Sequence, residues 1–481
     1  MKIFDIIVFG AGSGGLNSAA FANRIGLSTQ LIDKSDANIG GDCLNFGCIP
    51  SKALIHVARA VRASRSLQEF GITVTSVVDM KAVMSYVKNR RDIIREHENA
   101  EWFRKKGMTV ALRMASFTGR REVKVADTIY RGRKIILATG SRPRKISLPG
   151  MERVPVFNNE NIFNIDFLPK HLVIIGGGPI GMEIGQAFQS LGSQVTILER
   201  GKNFLPKEDK KVTEILYRRL KRDGVQVHFN AEAKEICADG LLRLHVGEEE
   251  RRIPVDALFA GVGRQLNIDG LDLERADIEL DPSGQKLKVD DYLRCTNKDV
   301  LVCGDMVGKY QFTHAAELHA GLIIRNLLSP WKKKLSNAHL SWVTFTDPEI
   351  ATFGISKNEL KSRGLQYEVI RQSFEEDDRA ITDDHRDGLL KMFIGKGGKI
   401  LGGTMIAASA GELVQELILA QTHGMTLGNL FDKIYPYPTA ARINTRAAGQ
   451  YMGTQDNSED GAHTAKTLSP FRVNGPCDSL S

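Results

Sequence analysis

One glycine-rich pattern with an acidic partner occurs twice in this chain of 481 residues. That repetition constrains the fold more than any other feature. Asp5 to Phe9 read as a buried strand, followed by Gly10-Ala11-Gly12-Ser13-Gly14-Gly15, a helical stretch, and Thr29 to Ile32 ending on Asp33. The second copy runs from Leu172–Ile175 through Gly176-Gly177-Gly178-Pro179-Ile180-Gly181 and Met182–Leu191 to Gln194–Leu198 and Glu199. In each copy the acid lies 23 positions after the first glycine. A lone GxGxxG is weak evidence, but two copies in strand-turn-helix-strand context predict two dinucleotide sites. The first glycine (Gly10, Gly176) allows the tight turn, and the second (Gly12, Gly178) lets a pyrophosphate approach the backbone. The third (Gly15, Gly181) lets the helix pack on the strand, and the helix N-terminus then faces the phosphates.

Composition excludes the main alternatives. At 42% hydrophobic and 25% charged residues the chain has the profile of a globular protein. At roughly 150 residues per domain, its length suggests about three domains. Apolar runs fall short of the ~18 residues of a membrane span. The apolar start, Ile6 to Phe9, leads directly into a glycine turn and reads as a strand rather than a secretion signal. The formal net charge of +8 gathers between Arg120 and Lys145 and at Lys332, Lys333 and Lys334. Without a binding motif these clusters read as solvated surface, and nucleic acid is not an expected partner. Of the six cysteines only Cys43 and Cys48 are closely spaced. That spacing speaks for local chemistry in a reducing, cytoplasmic setting.

The segment around them is Gly40-Gly41-Asp42-Cys43-Leu44-Asn45-Phe46-Gly47-Cys48-Ile49-Pro50-Ser51-Lys52. Two cysteines with four residues between them can close a small redox disulfide where glycines let the backbone bend. Pro50 fits the first turn of a helix starting near Cys48. A thiolate there gains from the helix N-terminus, and Lys52 falls on the same helix face as Cys48.

GGDCLNFGCIPSK resembles the redox-active disulfide signature of the class I pyridine nucleotide-disulfide oxidoreductases, which include dihydrolipoyl dehydrogenase, glutathione reductase and mercuric reductase. The resemblance extends over about residues 3 to 452. Ile135–Ser141, with Thr139 and Gly140, resembles the family's segment beside the flavin. Gly261-Val262-Gly263-Arg264 resembles the turn closing the nicotinamide domain. Val302-Cys303-Gly304-Asp305 resembles the second FAD motif, and Phe345–Glu349 the opening of the dimerisation domain.

The resemblance implies an α/β fold with two Rossmann-like dinucleotide-binding domains, for FAD and NAD, and a C-terminal α+β dimerisation domain. The expected layout is FAD domain 1–150, nicotinamide domain 151–269, FAD domain resumed 270–339 and dimerisation domain 340–452. Residues 453–481 read as a disordered tail. FAD is expected on Gly10, Gly12, Gly15, Asp33, Thr139, Gly140 and Asp305. NADH, with NADPH as the alternative, is expected on Gly176, Gly178, Gly181, Glu199 and Gly263. Hydride passes from the nicotinamide to the flavin, which reduces the disulfide. Cys48 is then the charge-transfer cysteine, Cys43 the interchange cysteine, and Lys52 pairs with Glu183 near flavin N5. The resemblance further implies a homodimer, and no resident metal is expected.

One segment departs from the family. Disulfide reductases read His-Pro-Thr-x-x-Glu near the C-terminus, where the His is the acid/base for the thiol substrate. Here the aligned residues are Tyr437-Pro438-Thr439-Ala440-Ala441-Arg442. A phenol with an ordinary pKa of about 10 is a poor base at neutral pH. Tyrosine at this position resembles mercuric reductases, but those carry a C-terminal cysteine pair and this tail has only Cys477. His314 and His423 read as structural. The expected acceptor is a small molecule that is not a simple dithiol, a metal ion or small electrophile. Dihydrolipoyl dehydrogenase-like activity is the alternative. A flavoprotein sensor without turnover is the alternative of another class.

Overall fold

The computed structural model describes residues 2–75 and 77–456. Cys477 and the rest of the expected tail from 457 lie outside the described residues. The first glycine turn grows out of strand Lys2–Phe9, whose residues Ile6 to Phe9 are buried. A strand covered on both faces has no polar side to alternate with, hence its continuous apolar run. It begins three residues earlier than its apolar pattern suggests. Lys2 and Ile3 still pair with Tyr130 and Arg131, because a backbone ladder does not require apolar side chains. This strand lies between the parallel strands Thr29–Asp33 and Thr128–Leu137 in a seven-stranded sheet. Val300–Val302 adds to the same sheet, parallel to Thr128–Leu137, although 163 positions separate Leu137 from Val300. The chain thus leaves this sheet and returns to it.

Between departure and return it builds a second, five-stranded parallel sheet in the order Gln226–Phe229, Gln194–Glu199, His171–Ile175, Ala257–Ala260, Val156–Phe157. Helix Pro179–Leu191 follows the second glycine turn and starts three residues before the expected Met182. Pro179 belongs there because its missing N–H costs nothing in a first turn.

Contacts divide the described chain into two compact units. One holds residues up to Pro206 with Arg218–Ser336, including both parallel sheets. The other holds Lys207–Tyr217 with the described residues from Asn337 on. Its five-stranded antiparallel sheet runs Ser341–Thr344, Glu349–Gly354, Lys399–Ala407, Leu389–Gly395, Glu368–Ser373. Glu208 lies within this unit. It accepts hydrogen bonds from Trp342 Nε1 (2.6 Å) and Thr352 Oγ1 (2.5 Å), and burial pushes its carboxyl above the usual range. The amphipathic stretch Gly411–His423 is split into helices Ala410–Leu413 and Gln415–Thr422. The last helix, Arg442–Asp456, runs past the expected boundary at 452. The architecture is the expected one: two Rossmann-like sheets with helices and a C-terminal α+β unit.

Repetition extends to atomic detail. Gly10 has φ +96° and Gly176 φ +110°, values open to glycine but strained for other residues. A Cβ on Gly15 would lie 1.8 Å from the Gly10 carbonyl oxygen, and one on Gly181 2.2 Å from that of Gly176. Alanine exceeds glycine by about 1 kcal/mol in helix propensity, but forcing a methyl into packed backbone costs about 1–3 kcal/mol. Gly15→Ala is therefore expected to lower the thermal unfolding midpoint. Gly321→Ala, in helix Thr313–Leu328 with nothing within 4 Å of the new methyl, should hold or raise it. An unchanged or higher midpoint for Gly15→Ala would refute the steric account.

Candidate active site

Both glycine turns are tied to their acids by the same bond. Asp33 Oδ2 accepts from Ala11 N (2.6 Å), one residue after the first glycine. Glu199 Oε2 accepts from Gly177 N (2.8 Å), the equivalent position. Asp33 Oδ1 further accepts from Lys34 N and Asn38 Nδ2, both at 2.7 Å, and Glu199 Oε1 from Gly201 N at 2.6 Å. Helix Ser13–Arg24 starts at Gly12 with no capping side chain and no acid in its first turn. The helix after Gly178 is likewise uncapped and lacks a first-turn acid. Such N-termini present amide N–H groups and positive dipole ends to an anion.

Gly41 follows Gly40, which has φ +87°, and a Cβ on Gly41 would meet Gly12 Cα at 2.6 Å. Only glycine lets the cysteine segment approach the first turn this closely. Cys43 lies in the short helix Gly41–Asn45, and Cys48 opens helix Cys48–Ser66 with Pro50 in its first turn. Both are free thiols, and the ionisation of each depends on the other. Thr313 Oγ1 lies 3.4 Å from Cys48 Sγ, and the Thr313 and Ser13 hydroxyls favour ionisation of Cys43 against its other surroundings. Lys52 Nζ donates to Glu183 Oε2 at 2.8 Å, with Glu183 nearly buried.

The two thiols therefore ionise very differently. The hydrogen bond from Cys43, then the Thr313 hydroxyl and the Lys52 charge, pull Cys48 below the usual thiol range against burial and Asp42. Cys43 is pushed up by its bond to Cys48, by burial and by the Cys48 charge. One thiolate forms readily, and it sits on Cys48 at a helix N-terminus. By contrast, burial pushes Cys295 and Cys303 up to about 12, the behaviour of inert packed thiols.

The remaining expected residues have local contacts of their own. Thr139 Oγ1 donates to Asn267 O (2.8 Å), and Gly140, at φ +71°, accepts from Asn267 N (3.0 Å). Gly263 has φ +100° and accepts from Arg144 N at 3.0 Å. Burial pushes the Asp305 carboxyl up, opposed by the Ser141 hydroxyl and Arg264. Tyr437 belongs to the other unit. It is exposed, with the Arg442 guanidinium 5.5 Å from its ring centroid. That contact is a cation-π pair. His314 is the second residue of its helix and stacks on Phe312 at 5.3 Å. Sequence reasoning missed Thr313, Ser13, Asp42, Asn159 and the role of Arg264 as a charge partner. Their contacts are between residues far apart in the chain, which spacing does not reveal. No group of metal-binding side chains was found among the described residues, and no described helix is long and apolar enough to cross a membrane.

Comparison with known proteins shows the family. The pyridine nucleotide-disulphide oxidoreductase model matches residues 4–320, and the dimerisation-domain model of the same family matches 340–448. The chain belongs to this family of FAD flavoproteins, which use NAD(P)H and a redox-active disulfide, with homodimers formed through the dimerisation domain. It is 32% identical over 463 residues to dihydrolipoyl dehydrogenase of Bacillus subtilis (strain 168), covering 94% of this chain and 97% of the relative. It is 28% identical over 446 residues to mercuric reductase of Bacillus cereus, covering 91% and 70%. The solved HOCl-induced flavoprotein disulfide reductase RclA from Escherichia coli matches with a TM-score of 0.82 at 25% identity, covering 92% of this chain and 99% of that one. The uncapped helix, the glycine approach and the half-buried Asp305 fit an FAD with its pyrophosphate at the first turn.

The Thr313 hydroxyl has a checkable effect. A hydrogen bond to a charged group contributes about 1.5–3 kcal/mol, and 1.36 kcal/mol is one pKa unit. Losing it disfavours the thiolate, so Thr313→Val should move Cys48 ionisation up by about one pH unit. The readout is iodoacetamide alkylation of the reduced protein against pH, followed at the Cys48 peptide. An unchanged profile would remove Thr313 from the account.

Proposed function

We propose that the chain is an NAD(P)H-dependent flavoprotein oxidoreductase whose redox-active pair is Cys43 and Cys48, and whose acceptor needs no proton from a protein base. The carrying observation is the placement of the two thiols: Cys48 opens helix Cys48–Ser66 five residues after Cys43, with Thr313 Oγ1 3.4 Å from its Sγ and Lys52 of the same helix paired with Glu183. Bound FAD would take a hydride from the nicotinamide and hand the electron pair to the disulfide. Gly10, Gly12, Gly15 and Asp33 would hold its adenosine diphosphate half, and Thr139, Gly140 and Asp305 the ribityl and flavin side. Gly176, Gly178, Gly181, Glu199 and Gly263 would hold the nicotinamide nucleotide. Cys48 would rest as the thiolate against the flavin, stabilised by Thr313 and the Lys52 charge. Cys43, the sulfur kept protonated by its partner, would meet the acceptor. Two electrons would leave the pair as the S–S bond re-forms, and the one proton it holds, on Cys43, would pass to solvent or product. The free thiols among the described cysteines suit a cytoplasmic setting.

Acceptor choice follows from Tyr437. General acid-base help is worth about 10²–10⁴ in rate, and a tyrosine capped by Arg442 supplies little of it near neutral pH. Thiol-bound metal ions or quinones are therefore the favoured acceptors. The relatives named dihydrolipoyl dehydrogenase favour a second reading, a dithiol oxidoreductase. In an acceptor screen with NADH, a base-independent acceptor should turn over at least tenfold faster than lipoamide or glutathione disulfide. Rapid lipoamide reduction untouched by Tyr437→Phe would favour the second reading, and absence of turnover with every acceptor would favour a sensor.

Nucleotide choice should follow Glu199. Its carboxylate is oriented by Gly177 N and Gly201 N, a placement that accepts from a ribose 2′-hydroxyl and repels a 2′-phosphate. NADH should exceed NADPH in kcat/KM by about tenfold, 1.4 kcal/mol of transition-state discrimination. Glu199→Ala should narrow the ratio. Equal efficiencies that Glu199→Ala leaves unchanged would exclude this role.

A further inference from the structure

A second acid-base pair lies beside the cysteines, separate from Lys52–Glu183. Asp42 immediately precedes Cys43, and its Oδ1 lies 3.1 Å from Arg264 Nη2 and accepts from Asn159 Nδ2 at 3.0 Å. Arg264 is only 12% exposed along its side chain. Its Nε donates to Ser141 Oγ (2.7 Å), its Nη2 to Ser141 O (2.9 Å), and its Nε lies 3.8 Å from Asp305 Oδ2. The Ser141 hydroxyl in turn donates to Asp305. One guanidinium therefore faces two carboxylates, one on the cysteine segment and one after strand Val300–Val302.

We propose that Arg264 is a positioning residue of the redox centre: by pairing with Asp42 it masks a carboxylate that otherwise opposes a thiolate on Cys48. The inference rests on reading Cys48 as the thiolate beside the flavin. The charged and titratable groups around Cys48 are Cys43, Lys52 with its partner Glu183, and Asp42 with its partner Arg264. Of these, Asp42 disfavours ionisation of Cys48 by like charge, and Cys43 and Lys52 favour it. Asp42 is fixed on the cysteine segment by sequence and by Asn159, so it cannot retreat when the thiolate forms. Its charge must be screened where it stands. Arg264 suits that task because its fork is planar and permanently charged. It is also anchored by Ser141 on the adjoining two-stranded ribbon of Arg264–Leu266 with Ser141–Pro143.

Masking predicts a coupling rather than a simple loss. In the Cys43→Ser holoenzyme, the long-wavelength charge-transfer band of Cys48 is titrated against pH. Asp42→Asn is compared in the presence of Arg264 and of Arg264→Gln. With Arg264 present, Asp42→Asn should lower the midpoint by about 0.3 pH unit or less, because the charge is already screened. With Arg264→Gln it should lower the midpoint by about one pH unit. Arg264→Lys, which keeps the charge, should restore the small effect. The cycle isolates the pair because each change is read with and without the other. Equal shifts in the two backgrounds, or none in either, would overturn the proposal. Should Cys43→Ser lack the band and Cys48→Ser show it, the reading of the two sulfurs fails instead. Alkylation of the Cys48 peptide against pH then reads the same coupling without band or flavin, as it also does if Arg264→Gln loses flavin.

Discussion

Close approach of backbone to backbone at the glycines is the constraint on which the rest depends. Gly15 packs its helix against the Gly10 carbonyl, and Gly41 brings the cysteine segment against Gly12. The first contact sets where a helix N-terminus points. The second sets how near two sulfurs lie to that N-terminus. A helix N-terminus and the Cys43–Cys48 segment are thereby placed next to each other by absent side chains. Carboxylates lock the arrangement: Asp33 on Ala11 N, and Glu199 on Gly177 N in the repeat. The 23-residue spacing read in the sequence is the chain length needed for strand, turn, helix and returning strand to bring an acid back to the turn it left.

Local order was legible because it is written in short-range pattern. Both glycine turns, the strands beside them and the helix at Cys48 follow from glycine, proline and apolar spacing. The return of Val300–Val302 to the first sheet came from resemblance rather than pattern, since a three-residue apolar strand carries no address. What stayed hidden depends on long-range contact. Thr313 reaches Cys48 across 265 positions, and Arg264 reaches Asp42 across 222. The motif that contains Arg264 was recognised as a turn, but a turn motif does not say which carboxylate its arginine will face. Glu208, in the charged run Lys207-Glu208-Asp209-Lys210, becomes a half-buried acceptor for Trp342 and Thr352. The break at Val414 also escaped notice, because amphipathic periodicity continues across two short helices as it does along one.

Charge around the cysteines is arranged in compensated pairs rather than as a net field. Lys52 is matched by Glu183, and Asp42 by Arg264, so the site adds little net charge beside the sulfurs. Pairing leaves short-range hydrogen bonds to decide which sulfur ionises. Those interactions are unequal: Cys43 favours ionisation of Cys48 while Cys48 opposes that of Cys43, and the Thr313 hydroxyl lies 3.4 Å from Cys48 Sγ. The difference between the thiols is then a property of local geometry, robust to ionic strength in a way that a bare surface charge is not.

The duplicated acids show how one device serves two ends. An ionised carboxylate offers about four lone-pair positions. Asp33, nearly buried, commits three of its positions to Ala11 N, Lys34 N and Asn38 Nδ2. Glu199, on a longer arm and less buried, commits two to Gly177 N and Gly201 N. Asp33 is therefore the more rigidly held and leaves about one acceptor position, enough for a single sugar hydroxyl. Glu199 leaves about two and can accept from both hydroxyls of one ribose. A phosphate on that ribose would bring only acceptor oxygens and negative charge to a carboxylate that has nothing to donate. On the reading proposed above, discrimination at the second turn would come from the hydrogen-bonding capacity that the turn leaves unused, and the turn itself needs only the first bond.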